Sequence, residues 1–514
     1  MNSSIQGDLA IRLDALNPES GPKEKPPLVA AADLPRQSIR ARLTRGFSFT
    51  MVGQFATQGI AFLVAPIYAR ALTPEEYGSI SVANSLRSIV MVLMPLGAVA
   101  GVSYWYNLHR HEPSQARHAV GAVAGFVLAS STAWLLLGLL SGAWLQARFL
   151  SDFPLAFWPH GALILAAAWF LCLMLVPGSY LAVRERQDLT AYLGIGTGLL
   201  QVGCLVAFVV VLRRGVGGQV EGTFLYALVT GAFYFWLLER QSPLRVDGKL
   251  WKEIFSYGLP LVPHALSVWG LNLADRVIIG HYGAAYAHDL GLYSFGYTIA
   301  QIMLTVNGAF SSIWTPVYME QARSNPQAPE VLGRAASWCA LGFALAAAGL
   351  ILGAPVLIKL IGSTRYGGSE RFVTPVVVAY LMQAFYLLPT LAMFHCKKTH
   401  WLFTITLTAV VINVTLNLIF IPRYGVIVAS WTTLIGFAVM ALLGFVWGQR
   451  LFPLKYIRLP LLQSFATVAV AWLGAASLGA DVVGTVSKAV IWLCLCGVAW
   501  LSWSRLRTSA AMGA

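Results

Sequence analysis

Apolar runs of about 20 residues or more follow one another along most of this chain, and a transmembrane helix needs a run of about that length. Only 11% of the residues are charged, against about a quarter in soluble domains, so lipid must cover most of the surface. The runs predict an all-α polytopic membrane protein with about 14 transmembrane helices. Their approximate limits are 46–70, 77–104, 117–146, 157–182, 189–212, 220–239, 254–280, 290–318, 333–361, 372–396, 400–421, 424–448, 459–480 and 484–504.

Lysine and arginine are distributed unevenly among the connections between these runs. If the N-terminal tail lies in the cytoplasm, 24 of the 35 Lys and Arg fall on the cytoplasmic side, nine on the opposite side and two inside spans. This bias sets the orientation of membrane proteins, and an even number of spans places both termini in the cytoplasm. The net charge of +14 therefore reflects topology, and we expect no nucleic-acid partner.

The segments outside the spans are too small for a soluble catalytic domain. Residues 1–43 contain several prolines and no apolar segment typical of a signal peptide, which predicts a disordered cytoplasmic tail. The other connections are short, which disfavours a membrane glycosyltransferase or polymerase with a large outer loop. No Walker A motif is present, and the six cysteines lie in or beside apolar runs. We expect no catalytic residue, metal or cofactor.

A short motif occurs twice, at residues 76–81 and 289–294, with the pattern acid-x-Gly-x-x-Ser. The separation of 213 residues spans six predicted helices, so both copies have the same orientation in the membrane. This predicts two parallel halves related by a pseudo-two-fold axis along the membrane normal. Just before the first copy, Thr73 and Glu76 predict a capping box at a helix start, with Pro74 at the first helical position.

Polar side chains inside the spans are the candidate functional residues, because such groups are costly in a bilayer. Arg87 lies about 16 Å into the second span, near the middle of the hydrocarbon core. The first, second, seventh and eighth spans each have a polar face, and we expect these faces to turn toward one shared cavity. The candidate residues for this cavity are Gln54, Gln58, Asn84, Arg87, His264, Asn272, Asp275, Arg276, Tyr297 and Gln301.

Simpler roles remain open for several of these residues. Asp275 and Arg276 are adjacent, so they point about 100° apart on a helix and are predicted to pair with other helices rather than each other. Arg276 lies near the outer end of its span and is equally compatible with snorkelling to the surface. Glutamine and serine often serve only to hold helices together, and His264 fits a packing role as well as a functional one. Tyr293 is typical of an aromatic belt.

Several stretches of the chain together resemble polysaccharide-transport flippases, which belong to the superfamily that also contains multidrug exporters. The more specific pieces are the Y-G-L-P sequence at residues 257–260 and the A-D-R sequence at 274–276. The resemblance extends over about residues 44–450. The other matching stretches are 53–54, 66–70, 72–78, 291–294 and 423–425.

The resemblance implies two six-helix bundles around a central cavity, followed here by two C-terminal helices. The corresponding boundaries are a first bundle at 44–240, a cytoplasmic linker at 241–253, a second bundle at 254–450, and two further helices with a short cytoplasmic tail at 451–514. The implied function is alternating-access transfer of an undecaprenyl-diphosphate-linked oligosaccharide between leaflets of a bacterial inner membrane, for O-antigen, capsule or exopolysaccharide assembly. Polysaccharide polymerase and chain-length proteins are the implied protein partners.

By this resemblance Arg87 and Arg276 would bind the diphosphate, since a guanidinium presents a planar fork of donors to phosphate oxygens. Asp275 would hold one of these arginines or carry a coupling proton. A cation-coupled multidrug exporter is the main alternative, although arginines inside the spans oppose a cationic substrate. The peptidoglycan-precursor flippases form a sister family with a similar mechanism.

Overall fold

The computed structural model describes residues 64–184, 186–479 and 481–512, with side chains except at 187 and 506–512. These residues form helices and no strand, which confirms the predicted fold class. A helical stretch at 64–71 comes first. The helices that follow are α1 Pro74–Leu93, α2 Gly101–Leu108, α3 Pro113–Phe149, α4 Ala162–Leu173, α5 Leu175–Val183, α6 Gln187–Leu205, α7 Gly215–Gln241, α8 Gly248–Gly258, α9 Val262–His281, α10 Ala287–Ser324, α11 Ala328–Ile361, α12 Glu370–His395, α13 His400–Tyr424, α14 Ile427–Leu451, α15 Arg458–Ser477 and α16 Val482–Met512.

The start of α1 has the predicted capping box. The Thr73 hydroxyl accepts from the N–H of Glu76 at 3.3 Å, and the Glu76 carboxylate accepts from the N–H of Thr73 at 2.9 Å. An aspartate, Asp247, caps α8, which begins inside the stretch 241–253 expected to be a linker. Its backbone partner, the N–H of Leu250, lowers the pKa of Asp247, and the ring of His118 adds to this effect.

The second predicted span is broken rather than continuous. α1 and α2 meet at a bend of 58°, where Leu96 and Gly97 both have positive φ. An apolar run carries no sign of such a break, apart from Pro95, which removes a backbone donor from the helix. At Gly97 an added Cβ would also clash with the carbonyl oxygen of Gly258, so the bend packs directly against the end of α8.

The count of 14 spans is not confirmed. Eleven helices in the described part of the chain are long and apolar enough to cross a membrane, or twelve if the bent pair counts as one span. The first predicted span lies mostly outside the described residues. The eighth corresponds to α10, a helix of 38 residues that is absent from these eleven and carries the stripe of polar side chains noted in the sequence.

The helices fall into two successive groups, α1–α7 and α9–α14, which we call the first half and the second half, while the short helix α8 packs on α2 and α3 of the first half. Between the halves, α1 packs against both α9 and α10. The last two helices, α15 and α16, pack on α11 of the second half and on each other. We call the end of the molecule at which α1 and α10 begin the outer end.

Candidate functional site

Asp275 and Arg276 form a buried ion pair on α9. Arg276 Nη1 lies 2.8 Å from Asp275 Oδ1, and both side chains are at most 4% exposed. The prediction that these residues pair only with other helices is therefore wrong. The long arginine side chain folds back over one turn, where it also donates to the carbonyl oxygen of Asn272 at 2.8 Å. The length of the Arg276 side chain thus lets it contact Asp275 although adjacent residues point 100° apart on a helix. Because the Arg276 side chain is buried, it does not snorkel to the membrane surface.

Tyrosines of neighbouring helices complete this cluster. The hydroxyl of Tyr293 donates to the second oxygen of Asp275, and the Tyr297 ring lies 4.0 Å from the centre of the Arg276 guanidinium. Both tyrosines are fully buried, so Tyr293 is not part of an aromatic belt. Tyr380 of α12 extends the cluster, because its hydroxyl lies 3.5 Å from the side-chain oxygen of Asn272. The pair is thus satisfied internally by α9, α10 and α12.

A cavity of about 390 Å³ adjoins this cluster inside the second half. Asn272 belongs to both, and His264 lies in the cavity wall with its Nδ1 at 3.1 Å from the Thr406 hydroxyl. The lining contains amides, hydroxyls and aromatic rings, and none of its residues is Asp, Glu, Lys or Arg. Its polar members are His264, Asn272, Ser311, Thr315, Gln383, Thr390 and Thr406. This composition suits a neutral polar ligand with apolar faces.

Arg87 lies in a separate place, inside the first half. It borders a narrow space between α1, α4 and α7 together with Asn84, Gln219 and Thr223. The Gln219 amide donates to the Asn84 side chain at 3.3 Å, whereas the buried Nε of Arg87 has no hydrogen-bond partner among the described residues. Nor does any ion pair of the described residues include Arg87. An uncompensated buried donor of this kind is available to an anionic group.

The structure therefore brings some of the predicted site residues together and separates others. His264 and Asn272 line the cavity of the second half, and Asp275, Arg276 and Tyr297 form the cluster behind Asn272. Asn84 and Arg87 face α7 instead. Gln301 is half-buried on α10 and does not line this cavity. Gln54 and Gln58 lie outside the described residues.

At the outer end, equivalent residues of the two sequence repeats contact each other. Glu75 and His288 are 213 residues apart and are joined by a 2.8 Å hydrogen bond from His288 Nδ1 to the Glu75 carboxylate. Gly78 and Gly291 have the same separation, and an added Cβ on Gly78 would lie 3.0 Å from the backbone nitrogen of Gly291. We call these four residues the clasp. Contact between equivalent positions is what a pseudo-two-fold axis between α1 and α10 would produce.

Loops from both halves strengthen this contact. The Tyr366 hydroxyl lies 3.3 Å from the carbonyl oxygens of Leu72 and Thr73, so the loop before α12 covers the start of α1. On the other side, His281 at the end of α9 donates to the carbonyl oxygen of Phe149 at 2.7 Å. Sequence reasoning missed this outer contact, although the repeat identified its glycines. It also missed Tyr380 and Gln383, since isolated neutral residues carry no spacing signal.

The sequence of this chain matches a known protein family. A sequence model of the family described as polysaccharide biosynthesis protein matches residues 67–370, which is more than half of the chain. Protein 1 of the Lsg locus of Haemophilus influenzae is 24% identical over 362 residues, covering 66% of this chain and 82% of that protein. The succinoglycan biosynthesis transport protein ExoT of Rhizobium meliloti is 32% identical over 78 residues, 15% of each chain.

Solved structures with the same fold include a lipid II flippase and multidrug resistance transporters. The inward closed conformation of the lipid II flippase MurJ aligns with a TM-score of 0.70 at 11% identity, covering 89% of this chain and 98% of that one. An inward-facing multidrug resistance MATE transporter of the MOP superfamily aligns with a TM-score of 0.57 at 18% identity, covering 78% and 97%. With the match over residues 67–370, the helical fold and the many apolar helices, this multi-pass membrane chain belongs to the polysaccharide biosynthesis protein family.

Proposed function

We propose that this protein is a flippase that moves an undecaprenyl-diphosphate-linked oligosaccharide from the cytoplasmic to the periplasmic leaflet of a bacterial inner membrane, with both termini in the cytoplasm. The observation that carries the proposal is the neutral cavity of the second half. Its amides and hydroxyls match the many hydroxyls of a glycan, and its aromatic rings, such as Trp314, offer apolar surfaces to sugar rings. Trp314 itself is fixed by a bond from its indole N–H to the carbonyl oxygen of Leu388.

The charged end of the substrate needs a different partner. Arg87 suits this role because its buried Nε has no partner among the described residues, and a guanidinium binds phosphate oxygens through several donors at once. Arg276 is a poorer candidate, because Asp275, Tyr297 and the carbonyl of Asn272 already occupy its donors and its face. In this proposal the pair Asp275–Arg276 positions Asn272 at the cavity wall, and Arg87 receives the diphosphate.

Transfer also requires alternating access, and the clasp supports this step. The contact between α1 and α10 closes the outer end in the present arrangement. Release of a lipid-linked product toward the periplasm then needs α1 and α10 to separate there, which breaks the Glu75–His288 bond.

A multidrug exporter of the same superfamily is the second candidate. Such a protein needs carboxylates in its binding cavity to attract cations. The cavity of the second half has none among its lining residues, and the deep carboxylate Asp275 is neutralised by Arg276. A cavity without carboxylates therefore favours a sugar-bearing lipid over a cationic drug.

The test is mass spectrometry of undecaprenyl-linked sugars from a deletion strain, with an enzyme probe that reports the membrane side on which they accumulate. We expect the complete oligosaccharide-lipid to accumulate on the cytoplasmic face. The wild-type gene should reverse this build-up, and so should Arg117→Met, which removes an exposed arginine at the start of α3. Arg87→Met should fail to reverse it although the protein reaches the membrane in normal amounts.

Two outcomes would overturn parts of this proposal. A deletion strain without build-up but with altered sensitivity to cationic drugs would favour the exporter. Full reversal by Arg87→Met would show that Arg87 is not needed to bind the diphosphate, and the proposal of a flippase would still hold.

A further inference from the structure

A second cavity lies at the outer end, between the second half and the two C-terminal helices. Its volume is about 380 Å³, similar to that of the cavity of the second half, but its lining is charged and aromatic. The walls come from α11, α12, α14, α15 and α16. Its distinctive members are Glu370, Arg371, Trp431, Trp472 and Lys488.

Lys488 is the unusual member of this cavity. Its side chain is 4% exposed, and its ammonium donates to the carbonyl oxygen of Gly479 at 3.1 Å. In the part of the chain that the structure describes, no ion pair joins Lys488 to a carboxylate. A buried ammonium with a single carbonyl partner is costly, because two of its three donors and its charge lack compensation.

The nearby charged residues that the structure describes form no ion pair with Lys488, and the carboxylate of Asp481 beside Gly479 accepts instead from the N–H of Gly484 at 3.2 Å. Arg371 lies 2.7 Å from Asp289, so this pair is already satisfied. The Glu370 carboxylate is exposed and accepts from the N–H of Gly368 at 2.9 Å. Lys488 is therefore left as a cation directed into a cavity, and an anionic group supplied by a ligand would complete its coordination.

The rest of the lining indicates that this anion is attached to an apolar body. Trp431 and Trp472 lie with their ring centroids 5.3 Å apart, and Trp431 is 45% exposed. Tryptophans of this kind sit at the level of lipid headgroups. Between them and the core, the wall consists of small and aliphatic residues of α11 and α15, such as Ala354 and Ala475.

We propose that this cavity binds the phosphodiester headgroup of a resident membrane phospholipid, with Lys488 contacting the phosphate and the acyl chains lying along α11 and α15. The site is separate from the cavity of the second half and from Arg87, so the inference does not depend on the substrate of the transporter. It gives the two C-terminal helices a role, since α15 and α16 supply Trp472 and Lys488.

The test compares lipid binding by delipidated, purified full-length variants. Native mass spectrometry and thermal unfolding should both report stabilisation of the wild type by phosphatidylglycerol. In Lys488→Met we expect binding about tenfold weaker or more, as for the loss of a charge-assisted hydrogen bond, and less than half of the wild-type rise in Tm. Lys488→Arg should retain most of the effect. Arg423→Met, which removes an exposed charge at the same end outside the cavity, should behave like the wild type.

Three results would overturn the assignment. One is equal binding of phosphatidylglycerol by Lys488→Met and the wild type. Another is that Lys488→Met weakens the binding of diacylglycerol, which has no phosphate, as much as it weakens the binding of phosphatidylglycerol. The third is equal stabilisation by inorganic phosphate alone, which would make the ligand a free anion. Without lipid, Lys488→Met should unfold no earlier than the wild type, because it removes an uncompensated buried charge.

Discussion

The Asp275–Arg276 pair is a structural unit whose members cannot be removed singly without cost. Each charge lies in a cluster sealed by Tyr293 and Tyr297, away from lipid and water. Loss of one partner leaves the other charge buried and unpaired. Replacement of both by neutral residues of similar size removes the charges together, which in other proteins is often close to neutral for stability.

A double-mutant cycle on this pair tests that view. Arg276→Met should lower the free energy of unfolding by about 3–5 kcal/mol, because the Asp275 carboxylate loses its partner. Asp275→Asn should also destabilise the protein, while the double variant should recover a large part of the loss. Thermal unfolding of the purified variants in detergent provides the measurement. Additive effects of the two substitutions would show that the ion pair carries no coupling energy.

At the scale of helices, the clasp depends on two glycines that let α1 and α10 approach closely. A Cβ on Gly291 would clash with the carbonyl oxygen of Pro74, and backbone atoms cannot rotate away as a side chain can. The two helices would have to move apart at the outer end. Gly308 lies on the same helix with nothing within 4 Å of an added Cβ, so it offers a matched comparison.

Gly291→Ala should therefore hold the outer end partly open, whereas Gly308→Ala should not. The hydroxyl of Thr298 lies 3.0 Å from that of Tyr77, between α1 and α10. A cysteine introduced at Thr298 should therefore react faster with a membrane-impermeant maleimide in Gly291→Ala than in Gly308→Ala. Both variants should be made in a background without the six native cysteines. Equal labelling rates in the two variants would mean that close packing at Gly291 does not keep this end closed.

Local signals in the sequence determine individual elements, whereas contacts between distant residues leave no such signal. The helical fold and the capping box at Thr73 were predictable, because apolar runs and cap residues are local signals, although the count of 14 spans is not confirmed. The bend at Leu96 and Gly97 was not predicted, since the apolar run continues through it and Pro95 alone marks it. The pairing of Asp275 with Arg276 was mispredicted because helix geometry fixes Cβ directions but not the reach of a long side chain. The partners Tyr380 and His288 come from distant parts of the chain.

At the scale of the described molecule, the two halves meet where α1 packs against α9 and α10, and the Glu75–His288 bond lies at the outer end of this contact. The Glu75–His288 bond is exposed on both sides, at 49% and 57% of side-chain area, so it contributes little to stability by itself. The position of this bond matters more than its strength, because the bond can form only while α1 and α10 are in contact at the outer end.

A reversible cross-link across the clasp should stop transport. In a background without native cysteines, Glu75→Cys with His288→Cys should be bridged by a bifunctional thiosulfonate, and flipping should cease until a reductant is added. The pair Glu330→Cys with Arg334→Cys provides the control, because these partners are 2.7 Å apart within the single helix α11. Unchanged transport with a complete Glu75–His288 cross-link would mean that the outer end does not open during the cycle.

The contacts between residues 213 positions apart also bear on how such a chain could arise by gene duplication. An ancestor with two identical halves would set glycine against glycine at positions 78 and 291, which packs well without any change. The same symmetry would set Glu75 against a second glutamate, and two carboxylates that close repel unless they share a proton. In the fused chain, a substitution at position 75 or 288 removes this repulsion, whereas a substitution at 78 or 291 brings no such benefit. An acid–histidine pair beside two unchanged glycines is the pattern that such a history would leave.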